Sequence, residues 1–178
     1  MKAAGLSGAD AGTLYCKAQD SRLGQVGQVE EVDPTLIRSL ISSGIIPVIA
    51  PVGYGAKGQA FNVNADWAAI RIAQALGVSK VIYLTDQTGI LGGDGKLLSE
   101  LSSAELENLV DKEVVKGGML AKVRTILHGL KHGVKEIHVL NARHPHVLIE
   151  ELFTSQGVGT LCRSRARNVR LAAQSLEV

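Results

Sequence analysis

Aromatic side chains are the scarcest class in this 178-residue chain: one Trp, three Tyr and two Phe, 3% in all. So few rings exclude a base-stacking platform for single-stranded nucleic acid and leave the core to aliphatic side chains. Cysteine is nearly absent. Cys16 and Cys162 lie far apart and in no metal-spaced cluster, which argues against a disulfide scaffold and fits buried thiols in a reducing compartment. An excess of one charge is lacking too. The formal net charge is +2, too small to call for a polyanionic partner. The densest basic run, Arg163, Arg165, Arg167 and Arg170, reads as a solvated tail over 163–178. No apolar run approaches the roughly 18 residues of a membrane span. The start, "MKAAGLSGAD", does not read as a signal peptide. These absences lead to an expectation of no nucleic-acid partner, no membrane and a cytoplasmic setting.

Glycine, by contrast, is plentiful at 20 residues, as expected where turns need unusual backbone angles or close approach to a ligand. Apolar runs and helical patterns alternate along the chain. "VEEVDPTLIRSLISSG" predicts a strand end, a turn with Pro34 at the first helical position, and a helix ended by Gly44. "IIPVIAPVG" predicts a strand buried on both faces. "NADWAAIRIAQALG" carries Trp67, Ile70, Ile72, Ala73 and Leu76 in a helical rhythm before Gly77. "KVIYLTD" and "KEIHVLN" read as strands, and "GVGTLC" as a last one. "SSAELENLVD" is a helix with a capping box from Ser102 to Glu105. "GGMLAKVRTILHGLKHG" is a helix opened by two glycines and closed by Gly133, and "HVLIEELF" is another helix. The pattern predicts an α/β three-layer sandwich with a mainly parallel central sheet and right-handed crossovers.

Ligands of such sheets bind at the carboxyl ends of the strands. Three segments follow predicted strand ends: "PVGYGAKGQAFNVNAD", "TDQTGILGGDGK" and "NARHPH". In "NVNAD", Asn62 and Asn64 can each donate and accept through an amide. Asp66 is placed to cap the following helix or to hold a lysine by a charge-assisted bond. In "GGMLAK", backbone N–H groups at a glycine-opened helix start suit a phosphate. Lys122, four to five residues in, could reach the same anion. The spacing is not that of a Walker A loop. After "YLTD", Thr85 and Asp86 could receive a nucleotide's sugar or base, and Gly89 permits close approach. A plain hairpin turn over "GGDGK" accounts for that segment equally well. His128 and His132 share a helix face, but no third metal ligand lies nearby in sequence, so no metal site is expected. Anion-facing glycines, a lysine and an Asn/Asp cluster together favour phosphoryl transfer.

At this point the residues resemble a known family. "GLSGAD", "LGQVGQVEEVDPTLI", "GIIPVIAPVG", "FNVNADWAA", "LTDQTGIL", "GGMLAKV" and "HPHVLIEELFTSQGVGT" resemble the acetylglutamate kinases of the amino-acid kinase superfamily, in their C-terminal, ATP-binding lobe. The resemblance covers about residues 3 to 161, with 1–162 as the lobe. It implies a phosphotransferase of arginine biosynthesis that turns ATP and N-acetyl-L-glutamate into ADP and N-acetylglutamyl 5-phosphate, with Mg²⁺ held mainly through the nucleotide phosphates. By position it implies that Asn62 binds acetylglutamate with Asn64 and Ala65 close by. Asp66 would organise the catalytic lysines, of which Lys122 is one. Thr85, Asp86, Gly89, Ile90, Leu91, Val114, Gly118 and Met119 would receive ATP. His146 and "ELFTSQGVGT" would lie where arginine acts as an effector.

The chain departs from the family in three places. Ser155 and Gln156 stand where acidic residues are usual, which puts arginine control in doubt, and "NARHPH" replaces an Asp-Gly-Arg start. The family's second catalytic lysine, with its glycine loops, has no counterpart. The expectation is therefore nucleotide binding with weak or absent kinase activity, and the family's homo-oligomer is left open. Two other readings compete. One is the regulatory kinase-like domain of an acetylglutamate synthase. The other is a non-catalytic arginine-sensing domain.

Overall fold

Strand β1 (Lys2–Ser7) runs parallel to β4 (Ile45–Ala50), paired from Lys2 against Ile45 to Ser7 against Ala50. The computed structural model describes residues 1–154 and 157–164. Arg165, Arg167, Arg170, Ser155 and Gln156, on which the tail and part of the effector segment rest, lie outside the described residues. Within the expected 1–162 lobe the chain forms two compact units. The first is Met1–Val81 with His132–Val134, and the second is Ile82–Lys131 with the chain from Lys135 onward.

In the first unit, four short strands close on themselves in the order β2-β3-β6-β5. They are β2 (Leu14–Ala18), β3 (Val26–Val32), β5 (Val52–Tyr54) and β6 (Ala60–Val63). Their inward side chains Leu14, Cys16, Val29, Phe61 and Val63 meet Ala68 of helix α2 (Ala65–Leu76) in one apolar cluster. Two glycines make room for it. A Cβ on Gly27 would fall 2.6 Å from Phe61 Cβ, and one on Gly53 would collide with the Cys16 sulfur, so neither position admits a side chain without movement. Helix α1 (Thr35–Ser42) starts where Asp33 accepts hydrogen bonds from the Thr35 N–H (2.9 Å) and hydroxyl (2.6 Å). Pro34 stands just before its first turn. Helix α2 ends at Gly77 in the left-handed conformation, φ +69°, and Arg38 of α1 donates to the last carbonyls of α2, those of Ala75 and Leu76.

One expectation fails here. Strand β4 is not buried on both faces: Ile46 and Val48 are 45% and 58% exposed. The strand alternates because only one face of the two-stranded β1–β4 sheet is covered, so its continuous apolar run mimics a doubly covered strand.

The second unit holds a four-stranded sheet in the order β7-β9-β10-β8. These are β7 (Lys80–Thr85), β9 (Glu136–Asn141), β10 (Thr160–Arg163) and β8 (Glu100–Ser102). Strand β10 is parallel to β8 and antiparallel to β9, so β8 and β10 both run opposite to β9 and the sheet is mixed rather than mainly parallel. Ile137, Val139 and Leu140 of β9 are fully buried. Helices α3 (Ser103–Asp111), α4 (Gly117–Lys131) and α5 (Val147–Phe153) complete the unit. The capping box at α3 forms as the sequence predicts: Ser102 accepts from the Glu105 N–H, and the Glu105 carboxylate accepts from the Ser102 N–H at 2.7 Å. Helix α4 buries Val123, Ile126 and Leu130 at helical spacing and is followed by Gly133 at φ +101°. No helix among the described residues is long and apolar enough to cross a membrane.

Candidate functional site

The polar cluster of the first unit is built at the junction of β6 and α2. Phe61 and Val63 point inward, so the alternation of the strand turns Asn62 outward, exposed. The Asn62 backbone is fixed by its N–H donating to the Gln25 carbonyl at 2.7 Å. Asn64 is the cap: its Oδ1 accepts from the Trp67 N–H at 3.1 Å. The sequence pattern offered Asp66 for that duty. The structure corrects this, because Asp66 lies one residue inside the helix, in its first turn. Asp66, half-buried, sits where the helix dipole favours negative charge. Ala65, the first helical residue, is exposed beside it.

The phosphate-suited residues belong to the second unit. Gly117, at φ +54°, and Gly118 open α4, and a Cβ at either would meet nothing within 4 Å. The helix start is therefore open, and first-turn N–H groups of a helix are of the kind that hold anions. Met119 and Val114 are half-buried beside it. Lys122 follows one and a half turns later, its Nζ 4.7 Å from the centre of the Tyr83 ring.

Between β7 and β8 the chain makes the turn that the glycines predict. The Gly92 N–H donates to the Lys96 carbonyl at 2.9 Å, and Leu91 bridges to Leu97. Thr85 is half-buried, Asp86 is exposed, and their side chains bond at 3.3 Å. Gly89 adopts φ +150°, and a Cβ there would fall 2.7 Å from Thr160 Oγ1 and 2.5 Å from Leu97 Cδ1. Ile90 is fully buried. Its N–H donates to Thr160 Oγ1 at 2.9 Å, and its carbonyl accepts from Leu98. With its side chain in the core and both backbone groups engaged, it anchors the loop, while Leu91 remains exposed.

The residues just before Thr160 are tied down through a buried His138–Glu151 hydrogen bond. His138 Nδ1 lies 2.6 Å from Glu151 Oε1, with both side chains at most 5% exposed. The second Glu151 oxygen accepts from the N–H groups of Val158 (2.8 Å) and Gly159 (3.3 Å). Burial pushes the Glu151 carboxyl up, but the His138 hydrogen bond, the Val158 bond and the His138 charge outweigh it, so the group titrates below its ordinary value. Neither Thr160 nor Tyr83 stands out in sequence. The signal for each was weak: a threonine closing "GVGT", and a tyrosine at an inward position of β7.

His146 is exposed and left-handed, φ +59°, just before α5. His144 pairs with Glu150 at 2.7 Å. No three His, Cys, Asp or Glu among the described residues are grouped to hold a metal ion.

Known proteins give this arrangement a context. An acetylglutamate kinase of Kosmotoga olearia is 42% identical over 92% of this chain and 58% of its own length. One from Aquifex aeolicus is 43% identical over 89% of this chain and 58% of its own. This chain thus spans somewhat under three fifths of these curated relatives. Among solved structures, N-acetylglutamate synthase from Neisseria gonorrhoeae, complexed with coenzyme A and N-acetyl-glutamate, superposes with a TM-score of 0.83 at 26% identity, over 93% of this chain and 38% of its own. E. coli aspartokinase III, in complex with aspartate and ADP, shares the fold at a TM-score of 0.68 and 17% identity, over 93% of this chain and 36% of its own. The model of the amino acid kinase family matches residues 1–141, and the chain belongs to that family.

Proposed function

We propose that this chain is the nucleotide-binding part of an acylphosphate-forming kinase, with ATP as phosphoryl donor and N-acetyl-L-glutamate as acceptor. The observation that carries the reading is identity above 40% with acetylglutamate kinases along about nine tenths of the chain. The geometry of each unit supports it. In the second unit, the open start of α4 and Lys122 suit the phosphates, and the Thr85–Leu91 loop suits the nucleoside. In the first, the outward Asn62 suits an acceptor carboxylate or amide. By resemblance to that family, Asp66 is given the role of organising the catalytic lysines. Catalysis of this kind is positioning plus charge neutralisation. Mg²⁺ offsets phosphate charge when the nucleotide is bound, and the protein residues position the phosphates around it. Two buried free thiols, Cys16 and Cys162, suit a reducing cytoplasm. Arginine, if it acts, would do so around exposed His146, and a homo-oligomer would be the form in which it acts.

Calorimetric titration with ATP in the presence of Mg²⁺ tests the first half, with saturable binding expected; no heat at millimolar nucleotide would sink it. A double-mutant cycle of Asp66→Asn and Lys122→Ala, read by phosphoryl transfer in a chain as long as the relatives, tests the assigned pair. Independent losses would remove Asp66 from that role. A second reading, a regulatory domain of the acetylglutamate synthase kind, rests on the 0.83 TM-score. Arginine binding without nucleotide binding would instead favour a non-catalytic arginine-sensing domain.

A further inference from the structure

A lysine on a helix surface is a poor tool unless something aims it. Its ammonium sits on a flexible four-carbon stem, and ordering that stem costs rotamer entropy. In the second unit, Lys122 is aimed from below. Its Nζ lies 4.7 Å from the centroid of the Tyr83 ring, within cation–π range. Tyr83 itself cannot wander, because it is 4% exposed on β7 and its hydroxyl lies 3.2 Å from Thr125 Oγ1. Thr125 is 2% exposed and donates to the Lys122 carbonyl at 2.7 Å. One tyrosine thus holds both ends of the lysine: the ring meets the ammonium, and the hydroxyl reaches the backbone of the same residue through Thr125.

We propose that Tyr83 is a positioning residue for Lys122, setting the direction of its ammonium toward the phosphoryl group. This rests on the reading of Lys122 as a phosphate-facing lysine. A ring is suited to the task. Its negative face attracts the cation without bringing a second anion that the phosphate would have to displace. A leucine would fill the same core volume and supply no such face.

The test compares ATP and ADP affinities in the presence of Mg²⁺ for the 178-residue chain and its variants. The ratio isolates contacts to the terminal phosphoryl group, and ADP affinity serves as the internal control for folding. Lys122→Ala is expected to collapse the preference for ATP. Tyr83→Leu should lower the ratio toward that of Lys122→Ala, by about fivefold for a cation–π contact, with ADP affinity kept within about twofold. Tyr83→Phe, which keeps the ring, should retain the ratio. A Tyr83→Leu ratio equal to wild type, alongside a collapsed Lys122→Ala ratio, overturns the proposal and leaves the kinase reading standing. An unchanged Lys122→Ala ratio overturns the reading of Lys122, and this inference with it. Should Tyr83→Leu fail to fold, the wild-type Lys122 side-chain methylene protons decide. Ring-current shifts upfield that persist with ATP bound support the contact, and their absence in the ATP complex overturns it.

Discussion

Asn64 and Asp66 show how two residues at one helix start divide the work. The amide oxygen of Asn64 satisfies the Trp67 N–H, so the cap does not depend on the carboxylate. Asn64→Ala should therefore destabilise the first unit by about 1 kcal/mol, with Asn64→Asp nearly neutral, as measured by urea denaturation. Asp66→Asn should leave ADP affinity within about twofold, because the proposed reading ties Asp66 to the lysines and not to the nucleoside. A large loss would show that the carboxylate holds the fold rather than the chemistry. The cysteines behave differently again. Burial pushes the Cys162 thiol up to about 12 and raises Cys16 as well. Since the thiolate is the reactive form, both should resist iodoacetamide at pH 8 in the native chain and react at once in denaturant. Rapid native labelling of Cys162 would contradict its burial.

At the scale of elements, helix α3 and the strand–loop pair around Thr160 carry the acid sensitivity. Hydrogen bonds from the Ser102 hydroxyl and N–H hold the Glu105 carboxyl below its ordinary value. Glu151 is also lowered, by His138 and two N–H groups acting against burial. Depressed carboxyls contribute stability above their unfolded pKa, about 4.5, and lose it as pH falls through the folded value. The melting temperature should therefore hold above pH 5 and drop on acidification below about 4.5. Ser102→Ala should cost about 1 kcal/mol at pH 7 and flatten that acid limb. The elements legible in sequence were those with local signatures. The five α-helices among the described residues announce themselves by period, by the Ser102–Glu105 box, or by a closing Gly such as Gly77 and Gly133. The closed ring of β2, β3, β5 and β6 did not, because strands of three to seven residues joined by long-range pairs leave no local period. Strand β8 was missed for the same reason. Of the candidate site, Asn62, Gly89, Gly118 and Lys122 are legible in sequence as residue types. The hydrogen bond of Thr160 to Ile90 spans 70 positions, and no local pattern encodes it.

At the scale of the whole molecule, length governs what the chain can do. It spans 58% of the Kosmotoga and Aquifex kinases. Two apolar side chains of β4, Ile46 and Val48, stand exposed on a sheet of only two strands. On the proposed reading, nucleotide binding draws on the α4 start, the Thr85–Leu91 loop and Lys122, all within one unit. Phosphoryl transfer needs more, namely an acceptor carboxylate held in line within about 3–3.5 Å of the phosphorus. Losing that positioning forfeits effective molarity that reaches roughly 10⁵ M or more. The 178-residue chain should therefore bind ATP yet release acetylglutamate-dependent ADP at a rate indistinguishable from its acetylglutamate-free background. Trapping the acyl phosphate with hydroxylamine separates the two, since ATP hydrolysis gives no hydroxamate. Hydroxamate formed at the rate of a relative such as the Aquifex kinase would mean that the residues of these two units alone place the acceptor. Asn62, exposed at the end of β6, would then be the first side chain to remove: Asn62→Ala should raise the KM for acetylglutamate and leave that for ATP unchanged.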